Sequence, residues 1–344
     1  QFPEAPGILP GFHPLVWDDG AVRLWNRKYV LGDAGLLEQA TNGGAPFLAG
    51  PVRMAGTANG WPLLDGAATR AVRSATAERV ELVTTIAAKT HEVSVRTVVE
   101  YDGFMRVTVR VRGGGGVTLK DVALEIPLVA SRCSYLQACS DHPRYKSGSI
   151  SLPSSEGLVW ESAQADELAV GDEEMIARYK KSRSSQIANT FLPCIWIGNH
   201  EGGLSWFAES DEGWQDVPGR SIIQVTRELD QMVLRVHMVM GEMSAEEATF
   251  DFGLQLTPVK PMPSGWRGWK FVNAKEAQVY GNDTLAPDLY DCVPGGASRA
   301  YLYANKGISV DIKLQHSRDI ANPDILKKGV DLLHQQGHKV FPYI

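Results

Sequence analysis

From Arg79 to Leu128 the apolar residues mostly alternate with polar ones. Val80, Leu82 and Ile86 fall on one side of an extended chain, then Val93, Val95 and Val99, then Met105, Val107, Val109 and Val111. Arg106, Thr108, Arg110 and Arg112 take the other side of the last of these segments. A period of two predicts strands with one buried face. Tyr101-Asp102-Gly103 is a turn signal, and the four glycines Gly113 to Gly116 read as a loop free to adopt positive φ, so the segment is expected to be a meander of hairpins. The pattern resumes with strands at Phe191 to Ile197 and Leu204 to Ala208 around a Gly198 to Gly203 turn. Ser221 to Thr226, Met232 to Met240 and Thr249 to Leu256 follow at the spacing of an antiparallel sandwich. The polar stretch Ser162 to Ser185 is the main exception, expected to be a loop excursion carrying a short helix.

The texture changes at Thr257. Pro258, Pro261 and Pro263 follow within a few residues, and proline donates nothing to a sheet ladder, so the sandwich should stop there. Further on, Gly307 to Leu314 reads as a strand. Asn322-Pro323 then supplies a cap and a first-turn proline for a helix striped by Ile325, Val330, Leu332 and Leu333, and Gly337 ends it. Lys339 to Ile344 reads as a second strand. Strand, helix and strand make a βαβ unit, which belongs to a parallel sheet. A complete (β/α)8 barrel takes roughly 250 residues, against the about 75 that follow the proline cluster. The expected fold is therefore mainly β: a large antiparallel β-sandwich over 1–257, a linker and irregular entry segment over 258–306, and at 307–344 the first βαβ part of a truncated (β/α)8 barrel.

Composition narrows the function classes. Hydrophobic residues make up 44% and charged residues 22%, which is the balance of a globular protein and not of a disordered one. The net charge of −6, with basic residues scattered apart from Lys180 to Arg183, argues against a nucleic-acid partner. No apolar run approaches the roughly 18 to 20 residues of a membrane span. The N-terminus QFPEAPGILP lacks a basic n-region and an apolar h-region, so a signal peptide is either absent or removed. Secretion or the periplasm is the expectation, with the cytoplasm as the alternative. Cys133, Cys139, Cys194 and Cys292 form no CxxC pair. Cys133 and Cys139 are spaced to close a short loop in an exported protein, and buried free thiols are the alternative.

Three segments carry a resemblance to a known family. They are FLPCIWIGNHEGGLSWFAESDEGW (Phe191 to Trp214), LQLTPVKPMPSGWRG (Leu254 to Gly268) and NPDILKKGVDLLHQQGHKVFPYI (Asn322 to Ile344). The sequence resembles glycoside hydrolase family 123 and its relatives, most specifically in the first two segments, while the first 190 residues fit only in general character. The resemblance implies an N-terminal sandwich before a (β/α)8 barrel and exo-acting β-N-acetylgalactosaminidase activity. It also implies substrate-assisted hydrolysis, a recognised departure from the two-carboxylate scheme. The acetamido oxygen would attack the anomeric carbon while an adjacent Asp-Glu pair steers the acetamide and protonates the leaving oxygen. That pair is expected on a later barrel strand, beyond Ile344. Asp166-Glu167, Asp172-Glu173 and Asp211-Glu212 lie in the sandwich portion and do not inherit the role.

Candidate contacts to a carbohydrate substrate follow from position. In (β/α)8 barrels active sites sit in the loops after the strands, which puts Gln315, His316, Arg318 and Asp319 forward, with Tyr343 near the end of the second strand. In the hairpin, Leu204, Trp206 and Ala208 share one face and Ser205 and Phe207 the other, so packing is the first reading of Trp206. Glu209, Asp211 and Trp214 lie just past the strand end, where carboxylates suit sugar hydroxyls and an indole suits a sugar's C–H face. His334 and His338 are separated by a helix-ending glycine and have no third ligand nearby, so no metal is expected, and no sequence motif calls for a cofactor. Two rivals stand beside the glycosidase: a non-catalytic sandwich that binds carbohydrate or docks another domain, and a barrel hydrolase for a different sugar.

Overall fold

The computed structural model describes residues 7–9, 11–139, 147–163 and 191–262, together with the strands Ser309–Lys313 and Lys339–Tyr343. The chain forms two compact units, Gln1–Pro261 and Met262–Ile344. Among the described residues the first unit is almost wholly antiparallel β, with one short 3-10 turn at Ala130–Arg132.

Five short strands between Val16 and Pro46 make one sheet, and fourteen make a second. The second sheet is organised by the strand Met105–Val129, which is long enough to serve both layers of the sandwich. Its first half pairs with His91–Glu100 on one side and Glu242–Thr257 on the other. Its second half pairs with Arg53–Ala58 and Gln231–His237, and Ile223–Glu228 and Gly157–Glu161 extend that layer. Beyond Glu242–Thr257 the first layer continues through Gly202–Phe207 and Cys194–Asn199 to Tyr135–Cys139 and Ser147–Ser151.

The predicted alternation matches the packing. Val80, Leu82, Val93, Val95, Val99, Met105, Val107, Val109 and Val111 are all buried, while Arg106, Arg110 and Arg112 are exposed. The four-glycine segment differs from its expectation. Gly113 to Gly116 do not end a strand; they bulge out of one, since Arg112 faces Glu247 and Val117 faces Ala245, leaving four residues opposite one. Gly116 sits at φ +95, and Asn59 accepts from the Thr118 amide at 2.8 Å, so the ladder resumes on the far side. The sheet at Val16–Pro46 carries no long alternating run; its strands are two to six residues long and are separated by turns at Gly20, Asn26 and Gly43-Gly44.

Arg27 ties that small sheet to the point where the chain leaves the sandwich. It is 3% exposed, and its guanidinium donates to the carbonyl oxygens of Leu256 (2.9 Å), Asp102 (2.9 Å) and Val259 (2.7 Å). Tyr29 donates to the Gly103 carbonyl at 3.0 Å and accepts from the Leu256 amide at 3.1 Å. The strand ends at Thr257, next to the first proline of the cluster.

In the second unit, Ser309–Lys313 and Lys339–Tyr343 pair in parallel, with Ser309 opposite Lys339 and Lys313 opposite Tyr343. Parallel pairing requires a crossover connection between the strands. The expected helix at 322–336, the other parts of a barrel and most of the 162–185 excursion lie outside the described residues. Cys133 is buried and free, so it does not take part in the disulfide considered above; burial pushes its thiol up to about 12.

Candidate functional site

On the outer face of the first layer a register of three strands assembles a pocket. Arg106 stands opposite Gly253, Arg110 opposite Thr249 and Arg112 opposite Glu247; on the next strand Phe207 also stands opposite Gly253. Because side chains alternate, Phe207 points outward while Trp206 points into the core, where it is 0% exposed. The Phe207 ring lies across Gly253: a Cβ at that position would come within 2.2 Å of it. Phe207 also stacks on Phe104, with ring centres 5.2 Å apart and planes 24° from parallel.

These rings form one wall of a cavity of about 560 Å³. Its floor is Glu247, Thr249, Asp251 and Gly253 of the long returning strand, with Arg106 beside them. The lip is the chain from Ala208 to Trp214, less Asp211. Gly213, at φ +79, lets the lip turn, and the Trp214 amide donates to the Asp211 carbonyl at 3.0 Å. Gln215 then clamps the chain to the second layer, donating to the Met238 carbonyl at 2.9 Å and accepting from the Met240 amide at 2.8 Å. Trp214 is half-buried, edge-on to Phe191 at 5.6 Å and 6.3 Å from Trp206.

Charge is distributed unevenly. The Arg106 Nε donates to both Asp251 oxygens, at 3.0 and 3.1 Å, and this bond holds the guanidinium pKa above its ordinary value, with Glu209 adding to the effect. Glu247 forms an ion pair with Arg110 at 3.1 Å and accepts a hydrogen bond from Arg112. The floor carboxylates are thus neutralised. Glu209 and Glu212 on the lip carry no ion pair or side-chain hydrogen bond among the described residues, and both are exposed. The arrangement offers flat ring faces for C–H contact and free carboxylate oxygens to accept from hydroxyl or amide donors. Among the described residues no three His, Cys, Asp or Glu side chains converge to hold a metal.

Residues 15–212 match the family described as Glycoside hydrolase 123, third domain, which is more than half of the chain. The chain belongs to that family. In this family-123 chain the match starts before the first strand and ends on the pocket lip at Glu212, so it falls mainly on the first 190 residues, which carry the resemblance only in general character. No curated protein matches the chain. Among solved structures, a putative aldose 1-epimerase from Escherichia coli K12 is similar over 71% of this chain and 98% of its own, at 10% identity and a TM-score of 0.37. A galactose mutarotase-like protein from Lactobacillus casei covers 71% and 99%, at 9% identity and 0.37. A copper-containing benzylamine oxidase from Hansenula polymorpha covers 75% and 63%, at 8% identity and 0.40. Likeness at that level says nothing about what this chain binds.

Of the residues singled out from the sequence, Trp214 and Glu209 line the cavity. Asp211 does not; its carbonyl shapes the turn behind Trp214. Gln315, His316, Arg318 and Asp319 lie outside the described residues, as does the side chain of Tyr343, whose backbone pairs with Lys313. Phe104, Arg106, Phe207, Glu247 and Asp251 were not anticipated. Alternation did place Arg106 and Phe207 on outward faces, but nothing local to either showed that they would share one site.

Proposed function

We propose that this family-123 chain serves the hydrolysis of terminal β-linked N-acetylhexosamine, of the N-acetylgalactosamine kind, and that its sandwich pocket binds sugar. The supporting observation is the join of the stacked Phe104 and Phe207 rings to the free carboxylates of Glu209 and Glu212 in one 560 Å³ cavity, on a domain of a glycoside hydrolase family. In this reading a sugar lays its apolar face on the rings and donates from hydroxyls and amide N–H to the lip. In this reading the pocket contributes binding, with its floor carboxylates held by arginines and its lip carboxylates accepting from the sugar, and the acid that protonates the leaving oxygen is assigned to another part of the enzyme. Hydrolysis is substrate-assisted: the acetamide oxygen bonds to the anomeric carbon as the glycosidic bond breaks, the leaving oxygen takes a proton, and water opens the cyclic intermediate.

Calorimetric titration with N-acetylgalactosamine tests this reading. The expected result is saturable binding that Phe207→Ala and Glu209→Gln each weaken by about tenfold, on the scale of one aromatic contact or one charge-assisted hydrogen bond. Absence of binding to N-acetylgalactosamine and to galactose alike would refute a sugar pocket. Tight galactose binding without a contribution from the acetamide would point instead to a different sugar.

A further inference from the structure

The outer face carries more than the pocket. On the strand beside Phe207 and one step further along, Trp196 lies flat against the sheet. A Cβ on Gly203 would come within 2.3 Å of its indole and one on Gly198 within 2.5 Å, so the two facing glycines leave room for the ring. Its Nε1 donates to the Thr257 hydroxyl at 3.0 Å, and that hydroxyl also accepts from the Gly203 amide at 3.1 Å, which sets the indole's orientation. On the following strand Tyr135 faces Gly198, with its hydroxyl 3.0 Å from the His200 Nε2 and its ring 5.0 Å from the imidazole.

Trp196, Phe207 and Phe104 are all half-buried, so their rings keep an accessible part. Between them stand Gln137, Ser205 and Gln255, uncharged hydrogen-bonding side chains held on the same face by the register. Tyr135 to Phe104 crosses four strand spacings, about 19 Å at roughly 4.8 Å each. The row runs into the pocket, because Phe207 belongs to both.

We infer that this row is a binding lane for an extended, neutral β-linked oligosaccharide of N-acetylhexosamine, whose terminal sugar occupies the pocket while later rings stack on Trp196 and Tyr135. The inference rests on the sugar-pocket reading for its starting point and adds the chain-length dependence. Flat rings present a face that any pyranose of the chain can cover, and the uncharged side chains between them suit hydroxyl and acetamide groups. The absence of lysine or arginine from the lane's own positions, Tyr135, Gln137, Trp196, Ser205 and Gln255, disfavours sulfated or uronate chains.

The test is calorimetry of the full chain with β-linked N-acetylhexosamine mono-, di-, tetra- and hexasaccharides as probes. Wild-type affinity is expected to rise by about tenfold or more from mono- to tetrasaccharide, as one or two added stacking contacts give. Trp196→Ala and the variant Tyr135→Ala should each shrink that advantage to within about twofold. Tyr135→Ala keeps the measurement interpretable if Trp196→Ala does not fold. Equal affinity for mono- and tetrasaccharide, or an undiminished tetrasaccharide advantage in both variants, overturns the lane and leaves the pocket standing. Tetrasaccharide binding that both variants lose, without monosaccharide binding, keeps the lane and overturns the pocket; binding of neither probe overturns both.

Discussion

Gly253→Ala probes the geometry of the pocket wall most directly. The added methyl would lie 2.2 Å from Cε2 and 2.3 Å from Cζ of Phe207, against the 3.5–4.0 Å of a comfortable carbon contact, so the ring must move by more than about 1 Å. Phe207 is half-buried and can swing toward solvent, giving up its stack on Phe104, which is worth about 0.5–1.5 kcal/mol beyond burial. Some apolar area goes with it. Against this, alanine in a strand gains about 0.5–1 kcal/mol over glycine. The net expectation is a destabilisation of about 1 kcal/mol. In a Phe207→Ala background the obstacle is gone, and the same glycine replacement should stabilise by about 0.5 kcal/mol. The assay is a double-mutant cycle by urea denaturation, with N-acetylgalactosamine titration of each variant. Gly253→Ala alone is also expected to weaken sugar binding. An effect of equal size and sign in both backgrounds would refute the argument that Gly253 is there to seat the ring.

Other consequences can be checked in the same way. Arg27→Met leaves the carbonyls of Leu256, Asp102 and Val259 without their buried donor and should cost about 3 kcal/mol or more in chemical denaturation, with Arg27→Lys recovering only part, since an ammonium lacks the planar fork. Burial, with Arg235 and Arg220 nearby, holds the His237 pKa below its ordinary value. The unfolded chain therefore binds the proton more readily, so His237 contributes stability above about pH 6.5 that fades as pH falls below it; His237→Gln should flatten the stability profile in that window. With its thiol buried and its pKa pushed up to about 12, Cys133 should stay unmodified by iodoacetamide at pH 8 in the native protein and react once denatured, as read by peptide mass mapping.

The sandwich was legible where strands are long. Over Val80 to Val111 a period of two assigns most residues to the core or the outside whatever the strand pairs with, though Thr97, Val98 and Val99 are all buried in succession, and Trp206 could be placed in the core from its neighbours Leu204 and Ala208. The strands of Val16 to Pro46 were not, since two to six residues give too short a run to show a period. The glycines at 113–116 read as a hairpin loop because a bulge and a turn ask for the same backbone freedom; only the partner strand running past shows which it is.

By itself the sequence determined the outward and inward faces of the long strands, the end of a strand at Thr257 before the prolines, and two late strands that pair in parallel. Those are local properties of period and proline chemistry. Tertiary structure alone decided which outward residues meet. Arg106 and Asp251 stand 145 positions apart, and Phe104 and Phe207 more than a hundred, so their meeting depends on the pairing register of strands distant in sequence. A shift of one residue in that register would turn Phe207 inward and dissolve the pocket, while leaving every local signal in the sequence as it is.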